Sequence, residues 1–124
     1  RVLLVEDNVI NRIVARAMLA HLGLDVVECG DGREACELTR REAFDAVLMD
    51  VMMPVMDGLA ATREIRTREA HEGLERLPNI ALTASAMRPD IDAAFEAGVD
   101  DHVPKPFDLQ QIERALTRHL RLTP

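Results

Sequence analysis

Five residues with useful chemistry each close a short apolar run in this chain: Glu6 and Asp7 after Val2 to Val5, Asp50 after Ala46 to Met49, Thr83 after Ile80 to Leu82, and Lys105 just past Val103. If these runs lie side by side, their ends bring three carboxylates, a hydroxyl and an ammonium to one edge. Two carboxylates about 4 Å apart repel by roughly 4 kcal/mol at an effective dielectric near 20, so clustered acids need protons or a cation. Hard oxygen donors in an open cleft favour Mg²⁺, held by one or two carboxylates together with waters and a substrate oxygen. The remaining groups suit phosphoryl transfer, with Asp50 as nucleophile, Lys105 neutralising phosphoryl oxygens and Thr83 donating a hydrogen bond. An ionised Asp50 needs no general base.

The elements that must position these groups can be read from the pattern. Asp45-Ala46-Val47-Leu48-Met49-Asp50 is an apolar run bounded by acids, the pattern of a strand buried on both faces of a parallel sheet. In open sheets of that kind the ligand crevice lies outside the carboxyl ends of the strands, which is where Asp50 falls. Val2 to Val5, Val26 to Cys29, Asn79 to Ala84 and Asp101 to Val103 are the other strand segments. Helices follow each strand. Asn8 caps the first, whose apolar residues Ile10, Val14, Met18 and Leu22 recur at helical spacing before Gly23. Ile13, Ala17 and Leu19 make that surface broader than one sheet-facing side needs, so part of it is expected to serve a partner.

Gly30-Asp31-Gly32 opens a second helix with Ala35, Cys36 and Leu38 inward and Phe44 closing it onto the sheet. Pro54 and Gly58 bound an irregular loop before a third helix through Leu59, Thr62 and Ile65. Arg66 to Arg76 is charged and is expected to be a helix extension with a surface loop. Met87 to Ala97 forms the fourth helix, stopped by Gly98, and Leu109 to Leu120 the fifth, with Ile112 and Leu116 inward. Five strands alternating with five helices imply βαβ units and a doubly wound parallel sheet.

Composition agrees with this reading. At 124 residues, 48% hydrophobic and 30% charged, the chain is one domain that buries roughly two-thirds of its unfolded surface. No apolar run approaches the ~20 residues of a membrane span. A net charge of -7, with Lys105 the only lysine, argues against a nucleic-acid surface. Cys29 and Cys36 have no metal-ligand spacing and read as reduced thiols. The opening at Arg1 without an initiator Met suggests a module of a longer protein spanning residues 1–124.

Taken together, Val5-Glu6-Asp7-Asn8, Met49-Asp50-Val51-Met52-Met53-Pro54 with Asp57-Gly58, Leu82-Thr83-Ala84 and Lys105-Pro106-Phe107 resemble the receiver domain of two-component response regulators over essentially the whole chain. The Glu-Asp pair continued by Asn8 and Asn11 is most similar to the receiver modules of hybrid histidine kinases. This resemblance implies a flavodoxin-like sheet with strand order 2-1-3-4-5. It also implies that Asp50 takes phosphate from a phosphohistidine on a histidine kinase or histidine-phosphotransfer protein. Asp7, Asp50 and the backbone carbonyl of Met52 would ligate Mg²⁺, with Glu6 acting through a metal-bound water. Lys105 would pair with the acyl phosphate, Thr83 would move to hydrogen-bond it, and His102 would occupy the switch position, where an aromatic residue is usual. Such a domain is a signalling phosphoacceptor that promotes its own phosphorylation and dephosphorylation. It is expected in the cytoplasm, including the cytoplasmic part of a membrane-bound hybrid kinase, with no nucleic-acid or membrane contact of its own.

Other readings compete. A phosphatase with an aspartyl-phosphate intermediate, as in haloacid-dehalogenase-like enzymes, carries an acid two residues after the nucleophile, where this chain has Met52. A receiver-like binding module that is never phosphorylated would be marked by loss of Asp50, Asp7 or Lys105. A flavodoxin-like cofactor binder would need a phosphate loop where Glu6-Asp7-Asn8 stands. For the partner surface, Asn11, Val14 and Met18 share one face of the first helix, and Pro106 and Leu109 flank the same crevice.

Overall fold

A computed structural model describes residues 1–51, 57–83, 87–105 and 107–120; the expected metal-ligand carbonyl of Met52 and the partner residue Pro106 lie outside the described residues. The elements alternate as β1 (Val2–Val5), α1 (Val9–His21), β2 (Val26–Cys29), α2 (Gly32–Arg41), β3 (Ala46–Asp50), α3 (Gly58–Glu72), β4 (Asn79–Thr83), α4 (Arg88–Ala97), β5 (Asp101–Pro104) and α5 (Leu109–Leu120). The strands form one parallel sheet in the order β2-β1-β3-β4-β5, as the resemblance implied.

Because side chains alternate along a strand, each central strand feeds both faces of the sheet. Val2, Leu4, Leu48, Ile80 and Leu82 point to one face and are covered by Ala15 and Leu19 of α1 and by Ile112 and Leu116 of α5. Leu3, Val5, Val47 and Met49 point to the other, under Ala35 and Cys36 of α2 and Ala61 and Ile65 of α3. Ala81 continues that face beneath Ala94 of α4. All of these are buried, and each aliphatic side chain the size of Leu or Val contributes about 1.5–3 kcal/mol of transfer free energy. Burial also pushes the Cys29 and Cys36 thiols up to about 12, so neither serves as a nucleophile near neutral pH.

Register sets the site. Val5 pairs with both Cys29 and Met49, so Glu6 follows level with Asp50; Asp50 pairs with Leu82, and Thr83 with Pro104. The next residue on each strand therefore opens onto the same edge. Helices are started there by side chains: Asn8 accepts from the Asn11 amide at 3.0 Å and Asp57 from the Ala60 amide at 2.8 Å.

One expectation changes. On α1 the stripe of Ile10, Val14, Met18 and Leu22 is not one inward face: Ala15 and Leu19 are its buried residues, Met18 and Leu22 pack partly against the core, and Ile10 and Val14 are exposed. The small Ala15 lets the helix lie close to the sheet, so the bulky residues on its outer side have no sheet to cover. Arg66 to Arg76 is the expected helix extension with a loop after it, and ion pairs hold the extension in place. α3 continues to Glu72 and ends at Gly73, whose φ of +66° is the left-handed turn that glycine accommodates. Within it Arg66 donates to the Gly98 carbonyl (2.8 Å), Glu69 (2.7 Å) and Asp100 (2.7 Å), while Glu69 also accepts from the Leu77 amide at 2.7 Å. A charged stretch looks solvated in sequence, yet here its ions neutralise one another and tie α3 to the start of β4.

Candidate functional site

Asp50 ends β3 and is 4% exposed; Glu6, one residue past β1, is 1% exposed. The Lys105 ammonium lies between them, 3.2 Å from Asp50 Oδ1 and 3.1 Å from Glu6 Oε2. Glu6 Oε1 also accepts from the Asn8 amide at 3.1 Å, which orients its carboxylate. Asp7 is exposed at the mouth of the site. Glu6, Asp7 and Asp50 each offer an oxygen, and these oxygens lie within 4.8 Å of one another.

One ammonium shared by two buried acids cannot neutralise both. Burial pushes Asp50 up to about 6, helped by the hydrogen bond and charge of Glu6 and opposed by Lys105. Burial works to lower the Lys105 pKa, but the charge of Asp50 and the contacts of Glu6 outweigh it and hold the ammonium above its ordinary value. Lys105 is thus charged at any physiological pH, and Asp50 is mostly ionised at neutral pH. Three carboxylates against one ammonium leave two uncompensated negative charges. That deficit and the all-oxygen donor set fit a hard divalent cation such as Mg²⁺.

A further polar atom points the same way. The Thr83 hydroxyl is buried and has no hydrogen-bond partner among the described residues, while its carbonyl accepts from the Lys105 amide at 2.6 Å. A buried orphan hydroxyl is costly unless something else completes it. A phosphoryl oxygen on Asp50 is an acceptor of the right kind.

The other expected residues are placed as follows. His102 is half-buried on β5, edge-on to Phe95 of α4 with ring centroids 6.0 Å apart, and its Nδ1 is without a partner among the described residues. Phe95 gave no signal in sequence. Asn11 is half-buried and Leu109 is half-buried at the start of α5. The exposed apolar group on α1 is Val9, Ile10, Ile13 and Val14, at 65%, 72%, 61% and 45% exposure. Met18, expected on the partner face, is half-buried and packs partly against the core. Sequence reading also missed Arg12, which donates from Nε and Nη2 to the Glu6 carbonyl at 3.0 and 2.8 Å. A basic residue one turn into a helix that follows the acid pair was the available signal.

Comparison with known proteins agrees with this geometry. Residues 2–117 match the response regulator receiver domain family. The chain is 40% identical over 118 residues to the sensor protein GacS of Pseudomonas syringae pv. syringae, covering 95% of this chain and 13% of that protein. It is 39% identical over 113 residues to hybrid signal transduction histidine kinase I of Dictyostelium discoideum, covering 87% of this chain and 6% of that protein. The chain therefore spans only a small part of the relatives it matches. Among solved structures it is similar to the receiver domain of a sensor histidine kinase from Pseudomonas aeruginosa PAO1, which has a magnesium ion coordinated in its active-site cleft (TM-score 0.88, 43% identity, 98% of this chain and 97% of that one). It is also similar to the receiver domain of the response regulator Ssk1, crystallised with the histidine phosphotransfer protein Ypd1 of Saccharomyces cerevisiae (TM-score 0.91, 29% identity, 95% and 86%). With its fold, its acid-edged cleft and these matches in agreement, the chain belongs to the response regulator receiver domain family of two-component systems, and it is similar to the receiver modules of hybrid histidine kinases.

Proposed function

We propose that this domain accepts a phosphoryl group on Asp50 from a phosphohistidine of a histidine kinase or histidine-phosphotransfer protein. The observation that carries the reading is the Lys105 ammonium bridging Asp50 and Glu6 beside Asp7, with the unpartnered Thr83 hydroxyl on the next strand. A carboxylate oxygen of Asp50 attacks phosphorus, the phosphorus–nitrogen bond to the donor imidazole breaks, and its electron pair stays on the imidazole nitrogen. Lys105 swings its charge from the free carboxylate to a phosphoryl oxygen, and the Thr83 hydroxyl donates to another. Asp7 and Asp50, with the Met52 carbonyl and with Glu6 through water, would hold Mg²⁺, which supplies positive charge to the transferring group. The same residues promote self-phosphorylation from small phosphodonors and later hydrolysis of the acyl phosphate.

Filling the Thr83 hydroxyl draws that strand end inward, and His102 on the adjacent strand β5, level with Ala81 and packed on Phe95, is the group that responds. The domain works in the cytoplasm, where histidine kinases hold ATP. Its donor docks on the exposed side of α1, formed by Val9, Ile10, Ile13 and Val14 beside Asn11, with Leu109 across the crevice. The similarity to the Ssk1 receiver that was crystallised with Ypd1 supports a helical phosphotransfer partner.

Incubation with acetyl phosphate and Mg²⁺, read by intact mass, tests the reading. Wild type gains one phosphoryl group and Asp50→Asn gains none. Labelling of Asp50→Asn at the wild-type rate would overturn the assignment.

A further inference from the structure

Glu6 leaves the sheet ladder at the last β1–β2 hydrogen bond, its amide donating to the Cys29 carbonyl at 3.1 Å. Its own carbonyl is claimed by one side chain. Arg12 Nε lies 3.0 Å and Arg12 Nη2 2.8 Å from that oxygen, so a planar guanidinium grips it with two donors. The Arg12 amide meanwhile donates to the Asn8 carbonyl at 2.9 Å. The loop Glu6-Asp7-Asn8 is thus closed onto Arg12 at both ends, once through backbone and once through the side chain. The guanidinium passes close under β2: a Cβ built on Gly30 would lie 3.0 Å from Arg12 Nη2, and Glu28 Oε1 faces Arg12 Nε at 3.9 Å.

We propose that Arg12 is a positioning residue for the phosphoacceptor site, its two-donor grip on the Glu6 carbonyl holding the Glu6-Asp7 pair where cation binding beside Asp50 requires it. This rests on the reading of Asp50, Asp7 and Glu6 as the cation and phosphoryl site. Asp7 is exposed and its side chain makes no hydrogen bond or ion pair among the described residues, so the direction in which it presents an oxygen is inherited from the backbone on either side. A single-point donor would leave the carbonyl free to rotate; the rigid fork of arginine does not. Partners that orient a metal ligand typically change metal affinity by about 10–100-fold when removed.

The test uses the whole chain and Mg²⁺ alone. Because the sequence has no Trp and no Tyr, thermal unfolding is followed by far-UV circular dichroism across a Mg²⁺ titration. Arg12→Ala is expected to raise the Mg²⁺ concentration for half-maximal stabilisation by about tenfold or more, and Arg12→Lys by a smaller but resolvable factor. Arg12→Lys keeps the charge and is read alone if Arg12→Ala does not fold. Glu28→Gln, which removes the facing charge but leaves the grip, is expected to match wild type. A half-point in either Arg12 variant that equals wild type, or an equal shift in Glu28→Gln, overturns the inference. A wild type that Mg²⁺ does not stabilise overturns the underlying reading instead, and the inference with it.

Discussion

Gly58 at the start of α3 lies directly on the backbone of Asp50: a Cβ built on it would fall 2.1 Å from the Asp50 carbonyl oxygen and 2.9 Å from Met49 Cγ. The Gly58 amide also donates to the Val51 carbonyl at 3.0 Å. Absence of a side chain is what lets the helix seat against the strand end that carries the acceptor. Its conformation is not the reason; the close approach is.

Gly58→Ala should therefore force the end of β3 and the start of α3 apart. Overpacking against backbone cannot be relieved by a rotamer change, so a loss of about 3 kcal/mol is expected in urea unfolding. Because the strain falls on Asp50 itself, acetyl phosphate labelling should slow as well. Unchanged stability would mean the contact relaxes without cost.

The raised pKa of Asp50 makes metal-free stability pH-dependent in a definite direction. The folded state holds this proton to about 6, the unfolded chain only to its ordinary 3.8, so the folded state binds more protons between these values and is favoured by acid. Stability contributed by the protonated form is present below 3.8 and lost as pH rises through 6. A shift of about two units corresponds to at most about 3 kcal/mol. Asp50→Asn, without Mg²⁺, should gain about 1–3 kcal/mol at pH 7.5 and show a flatter profile between pH 4 and 6. Equal profiles for the two proteins would show that Asp50 carries no such burden.

Much of this was legible in sequence because two periodicities carry it. Val2 to Val5, Ala46 to Asp50 and Asn79 to Thr83 are apolar on both faces, which only a covered parallel sheet explains, and their terminal residues then had to meet at one edge. Thr83 could be placed there, but its lack of a hydrogen-bond partner is a property of three-dimensional surroundings. The partners of Arg66 and Glu69 could not be read for the opposite reason. A charged residue reads as solvated until the ion that neutralises it is seen, and Asp100 lies far along the chain. The outer face of α1 was readable as an apolar excess, yet which residues composed it depended on Ala15 setting the rotation of the helix.

The Arg66 network makes a structural prediction with no functional counterpart. Arg66 is tied to Glu69, Asp100 and the Gly98 carbonyl, but Asp100 keeps Arg76 at 2.7 Å and the Asn79 amide at 2.8 Å when Arg66 is removed. Arg66→Ala should cost about 2–3 kcal/mol, short of the full penalty for orphaning a buried ion. It lies by the amino end of β4, away from the acid edge, so the Mg²⁺ half-point and acetyl phosphate labelling should match wild type. A change in either would place the network in contact with the site.

Val9, Ile10, Ile13 and Val14 form an exposed apolar patch at the end of α1 nearest the acids, and three of them are more than half exposed. A donor that must bring its imidazole in line with Asp50 has to rest on the rim of the crevice, and this patch offers both apolar area and a fixed orientation. Fully burying one isoleucine is worth about 1.5–3 kcal/mol before the costs of association are subtracted. Ile10→Ser with Ile13→Ser should therefore slow transfer from a phosphorylated histidine-phosphotransfer domain by about tenfold or more, with the domain chosen from a panel as the fastest donor to wild type. Folding should be little affected, since neither side chain is in the core, and acetyl phosphate labelling should persist because a small donor needs no docking face. Arg33→Ser with Glu37→Ser, both exposed on α2, serves as the matched control and should leave transfer unchanged. If the α1 pair transfers as fast as wild type while the α2 pair does not, the donor docks on the α2 side of the sheet.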